Sequence, residues 1–289
     1  MENKSSKILL GCGVVFGIFV VLLVLIGFGI YTFVKNASEK QDEIVQLNNF
    51  IEEKYGKVED FLPPQKNIVD SVKFVLFLSI RDSLTEYNDE ITSDLGVISE
   101  KIKSKEEDLS FFETIGVMKR GLDLIPSFFL YVKKRNEFLI KYDLSLGDYF
   151  YYYVLSYYSF LKKGVSDGPP FNLVVPNGND GEVLSFNNNK DEKDSEKLLR
   201  ETKRKRKMIL SGKINSLFIK FFENGFSSSD SVNYQIYSEE LSLLKENEMR
   251  IPWIDGLPKE ISDFFSKFNV EETYNPMINS IEMELITNE

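Results

Sequence analysis

SLGDYFYYYVLSYYSFL, residues 145–161, is the stretch on which the fold turns. Ser145-x-x-Asp148 reads as a capping box: a hydroxyl accepts from the N–H three residues on, and the acid reaches back. Behind it Tyr149, Phe150, Tyr153, Tyr157 and Phe160 recur at helical spacing and form one core-facing side. Tyr151 and Tyr158 fall elsewhere, which leaves two readings of the helix: core packing, or a binding surface or membrane-facing belt that flat rings with hydroxyls would suit.

The neighbouring segments follow the same period. Ile68–Lys103 places Val72, Val75, Leu76, Ser79, Ile80, Ser83 and Leu84 on one stripe. Ser110-x-x-Glu113 is a second capping box, opening a helix through Met118, Leu122 and Ile125 that bends or breaks at Pro126 and resumes from Phe129 to Ile140. Asp194–Asn224 carries Ile214, Leu217, Phe218, Phe221 and Phe222 on its apolar face. Ser229 or Asp230 caps a further helix reaching Glu248, and Pro258 opens a short one to Phe268. Sustained strand alternation is nearly absent. The predicted class is all-α: an N-terminal transmembrane helix followed by a helical-bundle-like soluble domain.

The membrane segment is Ile8–Val34, which carries no charge. As a helix it is about 40 Å long against a hydrocarbon core of about 30 Å, so it spans with tilt to spare. It is too long for a signal-peptide h-region, and Ala37-Ser38 makes no A-x-A cleavage site. Leu9-Leu10-Gly11-Cys12 has the letters of a lipobox, but nearly all the apolar run follows the cysteine. An uncleaved anchor is the reading. Its short amino-terminal tail and large following domain place the bulk of the chain outside the cytoplasm. Gly13-x-x-x-Gly17 is a candidate helix-pairing face and so a route to a homodimer. The organisation read from the sequence is then an anchor with a short tail (1–35), a helical stalk and linker (36–65), and an all-helical domain (66–289) with a long loop near 164–190. Ile44, Leu47, Phe50 and Ile51 supply the stalk's apolar positions.

Composition excludes much. The chain holds no histidine, and its single cysteine, Cys12, lies in the anchor. That removes Ser-His-Asp and Cys-His catalysis and nearly every transition-metal site, leaving only all-oxygen sites. No cofactor motif is present. A net charge of −10 argues against general nucleic-acid binding. Carboxylates are the remaining catalytic groups, and nothing in the sequence shows which of them face one another.

Ser159-x-x-Lys162 matches the S-x-x-K of penicillin-recognising enzymes, but the companion motifs and the mixed α/β scaffold are missing. Lys203-Arg204-Lys205-Arg206-Lys207 reads either as a dock for anionic headgroups or as a solvated helical face. Asp230–Glu289 is its opposite, with 13 Asp or Glu against 4 Lys or Arg. Ile251–Pro258 gathers the only tryptophan, two prolines, a glycine and an acid into a turn. It reads as a rigid corner whose Trp253 plugs the core, or as a recognition element. The candidate interaction surface is therefore Tyr151, Tyr158, Lys203, Arg204, Arg206, Trp253 and Asp255, with no catalytic, cofactor or metal residues.

The apolar anchor, the aromatic helix opened by Leu144–Tyr149 and the R-I-P-W-I-D-G-L-P corner at Arg250–Pro258 together resemble an uncharacterised family of bacterial single-pass membrane proteins. That resemblance implies a location and no activity. The function expected is that of a membrane-anchored bacterial envelope protein, held in the bilayer through Ile8–Val34, acting on a protein partner by interaction or scaffolding. A tethered enzyme of carboxylate chemistry is the alternative, and a sensor working through pairing of the anchor helix is the third.

Overall fold

The computed structural model describes residues 42–64, 68–103, 111–167, 192–225 and 234–276. The anchor Ile8–Val34 lies outside them. Among the described residues no helix is long and apolar enough to cross a membrane. They are all-α. Helix α1 covers 42–55 and a 3₁₀ turn Val58–Asp60; then come α2 (Ser71–Ser83), α3 (Thr85–Lys103), α4 (Phe111–Tyr142) and α5 (Leu146–Tyr153). A π-helical segment, Val154–Phe160, prolongs α5. Helices α6 (Glu192–Gly225), α7 (Tyr234–Glu246) and α8 (Lys259–Phe265) and a 3₁₀ turn at Val270–Thr273 complete the body.

Helix α5 is the centre. Its capping box forms: Ser145 Oγ accepts from Asp148 N at 2.9 Å, and Asp148 Oδ2 accepts from Ser145 N at 3.2 Å. The same carboxylate takes Lys73 Nζ of α2 at 2.9 Å, so the cap also joins two helices. Every residue from Leu146 to Ser159 is buried. The expectation of a one-sided helix is corrected here, since Tyr151 and Tyr158 are both buried in the core. A helix apolar all round is one surrounded by its neighbours. Phe77 of α2 lies edge-on to Tyr149, Phe218 of α6 stacks on Tyr151 at 5.8 Å, and Phe61 packs between Tyr151 and Phe221.

Helix α2 is rotated from the face read in its sequence. Phe74, Phe77, Ile80, Arg81 and Leu84 are buried, whereas Val72 and Val75 are exposed. The rotation buries two phenyl rings in place of two valines, a larger apolar area for the same length of helix. Asp70 caps it, accepting from Val72 N and Lys73 N. Leu84 then divides the expected single segment into α2 and α3, after Ser79 and Ser83 hydrogen-bond back to carbonyls one turn earlier. Such back-bonds bend helices.

Helix α4, in contrast, runs unbroken through Pro126. Proline costs one backbone hydrogen bond, and α4 offsets this by packing along both α1 and α3. Residues 42–55 are not a free stalk. Ile44 and Ile51 are buried, Glu43 meets Lys133, Asn48 accepts from Asn136 at 2.6 Å, and Lys54 and Tyr55 both donate to Asp143. Phe50, read as part of the apolar stripe, is instead half-exposed. Of the predicted helix starts, Ser110, Ser229 and Asp230 lie outside the described residues, as does the expected loop beyond Asp167. Pro258 sits just before α8 as its cap residue, and α8 ends at Phe265 rather than Phe268.

Gly147 marks the closest approach of α5 to the segment before α2: a Cβ there would collide with the Phe61 ring. Gly147→Ala improves helix propensity but overpacks this contact, and it is expected to destabilise the fold by about 1–3 kcal/mol. A lowered urea midpoint at unchanged slope is the check; an unchanged or raised midpoint contradicts the packing described.

Candidate functional site

Two polar constructions are built into the aromatic core. The first centres on Arg81, whose side chain is fully buried on α2. Its Nη1 donates to Tyr131 Oη at 2.7 Å and Tyr149 Oη at 3.0 Å, and its Nε donates to Tyr157 Oη at 3.0 Å. The guanidinium also lies 5.1 Å from the ring centre of Tyr153 and 5.3 Å from that of Tyr157. A weakly hydrated planar cation suits such a setting, because ring faces and phenol oxygens together replace water. Arg135 repeats the theme, 5.8 Å from the ring centre of Tyr149. It donates twice to Asn136 Oδ1, at 3.0 and 3.1 Å, and Asn136 hands the chain of bonds on to Asn48 of α1.

The second construction is the tryptophan corner. Glu240 of α7, 4 % exposed, accepts two bonds from Arg250 (2.8 and 3.1 Å) and one from the Trp253 backbone N–H (2.9 Å). A carboxylate removed from water needs this many donors. Arg250 turns its remaining edge to Asp255 at 2.6 Å, and Glu240, with Asp255 behind it, holds the guanidinium far above its ordinary range. Trp253 adopts φ 51°, and its ring packs on Phe222 and Tyr237. Asn215 Nδ2 donates to the carbonyls of Leu244, Asn247 and Arg250, satisfying acceptors that the end of α7 would leave bare.

Ser159 and Lys162 complete the corner. Ser159 Oγ donates to Pro252 O at 2.6 Å, and Lys162 Nζ donates to Trp253 O at 3.3 Å and Ile254 O at 2.7 Å. The S-x-x-K spacing is thus a latch: it presents two donors to three successive carbonyls. Burial lowers the Lys162 ammonium below its ordinary value, with Asp255 opposing.

The predicted surface residues separate. Trp253 and Arg206 are buried with Tyr151 and Tyr158, so these four offer no exposed surface for a partner. The reading of Arg206 with its basic neighbours is corrected, because it lies on the side of α6 that turns toward the body. Lys203 and Arg204 are exposed on α6, about three turns from Asn215. Asp255 is exposed and is linked to Trp253 through Arg250 and Glu240. Glu240, Asn215, Arg81 and Arg135 were not singled out in the sequence. Arg81 carried a signal, as a cation inside an otherwise apolar stretch. Glu240 carried none, being one of 45 acids.

Chemically, the two carboxylates buried among the described residues each face a cation. Asp148 is held by Lys73, and Glu240 by Arg250. Glu240 and Asp255 share a guanidinium, but Asp255 is open to water. Among the described residues no group of three His, Cys, Asp or Glu could hold a metal ion. No protein-family model matches the chain, and neither a curated protein nor a solved structure matches it.

Two predictions follow from this packing. Trp253 is the sole tryptophan, so its emission reads the corner directly. Glu240→Gln removes the buried one of the two carboxylates on the Arg250 guanidinium, leaving only the exposed Asp255, and is expected to cost about 2–3 kcal/mol, with Trp253 emission moving to longer wavelength. Emission and stability both unchanged would show that the corner does not depend on Glu240. The second concerns alkaline pH. Burial raises Tyr151 and Tyr152 well above the ordinary 10.0 and pushes Tyr237 up to about 12. These phenols stay protonated in the folded state while their unfolded counterparts ionise, so the unfolded state binds fewer protons above pH 10. Stability is therefore full below about pH 10 and falls as pH rises from there through the folded values. Urea midpoints across that window test it, and a flat profile contradicts it.

Proposed function

We propose that the protein is a membrane-anchored bacterial envelope protein whose helical body acts by binding or scaffolding a protein partner. The observation that carries this reading is how the body uses its reactive groups. Arg81, Arg135, Asp148, Glu240, Arg250, Ser159 and Lys162 are each engaged in a contact that ties one segment of the body to another. Groups held this way are poorly placed to change partners during a reaction. A carboxylate acid/base pair requires two acids in mutual reach; at the corner a guanidinium stands between them. The apolar run Ile8–Val34 supports attachment to a bilayer. Helix α1 supports a body held close to that attachment, because it is bonded along α4.

Membrane extraction and partner capture test the proposal together. The chain is expected to stay in the membrane through an alkaline carbonate wash. Protease added from outside the cytoplasmic membrane should digest the body, and cross-linking in intact envelopes should join it to a discrete partner. Release by carbonate would overturn the anchor. Protection from external protease would overturn the orientation. Turnover of a substrate lost in a single-carboxylate variant that still folds would favour the enzyme reading instead.

A further inference from the structure

Helix α6 changes character along one face. Ser211, Ile214, Asn215, Phe218, Phe221 and Phe222 are buried against the body. Followed toward the amino terminus in steps of three and four, the same ridge continues as Lys207, Arg204 and Lys203 and then Glu201 and Arg200, all exposed, so that its cations are interrupted by one acid. Over Lys203–Ile209 only Arg206 is buried, and Met208, one turn after Arg204, is half-exposed. The result is a basic strip edged by a flexible apolar side chain, on an otherwise acidic molecule.

We infer that this strip, Lys203, Arg204 and Lys207 with Met208 at its edge, docks on the anionic phospholipid headgroups of the membrane that holds the chain. The inference rests on the anchored reading above and deepens it. Residues 35–41 separate the apolar run from α1 and reach at most about 25 Å fully extended, so an anchored body remains near the headgroups. A net charge of −10 makes most of its surface repel an anionic bilayer. Screening confines electrostatics to about 8 Å at physiological ionic strength, so the face nearest the membrane decides the outcome. Among the described helices, Lys203–Lys207 of α6 present clustered cations; the corner beyond them, with Glu246, Glu248 and Asp255 exposed, presents acids. Turning α6 to the headgroups is the orientation that attracts.

The test uses the full chain carrying Cys12→Ser and Met208→Cys, with a fluorophore at position 208. It is reconstituted into vesicles of phosphatidylcholine alone or mixed equally with phosphatidylglycerol, each holding a headgroup-linked quencher. Flotation reports the anchor, and quenching reports the strip. The expected result is flotation with both vesicles and strong quenching only in the anionic ones, reversed by salt. Lys203→Gln, Arg204→Gln and Lys207→Gln together should lower the docked-to-undocked ratio by about 100-fold, at roughly five-fold per cation. Lys259→Gln with Lys267→Gln, exposed cations elsewhere, should leave it unchanged.

Equal quenching in both lipids, or none lost in the triple variant, overturns the inference. Flotation with anionic vesicles alone, abolished in the triple variant, would remove the anchor while upholding the strip. Flotation with neither removes both. If the triple variant loses self-association by light scattering while quenching is unaffected, the strip meets a second copy's acidic face, which also overturns lipid docking. Far-ultraviolet dichroism and a thermal melt matching the parent confirm that the variants are folded.

Discussion

Burying tyrosine is the constraint on which this fold depends. A phenylalanine-lined core asks only for area, but each buried phenol also brings a hydroxyl that must find a partner. Helix α5 and its π-helical continuation put Tyr149, Tyr151, Tyr152, Tyr153, Tyr157 and Tyr158 into the interior together. The partners are then dictated. Arg81 meets Tyr131, Tyr149 and Tyr157, and the Tyr151 hydroxyl donates to Ile68 O. Tyr157 also meets Thr273, which draws the last 3₁₀ turn onto the core. One fully buried cation thereby couples α2, α4, α5 and the chain's acidic end. Removing its guanidinium would strand several hydroxyls at once, so it cannot be treated as a single contact.

The π-helical segment belongs to the same logic. Leu161 N bonds to Ser156 O, five residues back, and Lys163 N reaches Tyr157 O. This widened winding departs from the ordinary 3.6-residue period, so side chains after Val154 point where a regular helix would not send them. Tyr157 faces Arg81 on one side and Ser159 faces the Pro252 carbonyl on another. The core helix is in this way tied to both polar constructions within three residues. Lys162, at φ 58°, ends the winding and delivers its ammonium to the corner. A left-handed lysine is conformationally costly, and the carbonyls it reaches offset that cost.

What was legible in the sequence, and what was not, follows from the same chemistry. The all-helical class, the capping box at Ser145 and the α6 face of Ile214, Phe218 and Phe222 rest on local signals of period and cap, and these the structure reproduces. The errors lie where periodicity cannot decide. Tyrosine is apolar and polar at once, so a helix of tyrosines reads as one-sided even when neighbours close over every face. Valine and phenylalanine count alike in a periodic pattern, yet ring area turned α2 by about one residue. Pro126 is a breaker by local rule and was overruled by tertiary packing. Ser159 and Lys162 were visible as a motif, but their role as a latch depends on carbonyls some ninety residues away. Glu240 had no local signal at all.

These observations bear on how the body relates to its surroundings. Helix α1 follows α4 from Lys133 to Asp143, so any direction imposed on the chain before residue 42 is passed to the longest helix of the α1–α5 half. The pairs that fix α1 are uneven. Asn48 and Asn136 are buried, whereas Asp143 is open to water and its bonds to Lys54 and Tyr55 are individually weak. Register is therefore held by Ile44, Ile51 and the amide pair, and the exposed ion pairs trim it. Joined through a buried seam, α1 moves with α4 rather than swinging from it.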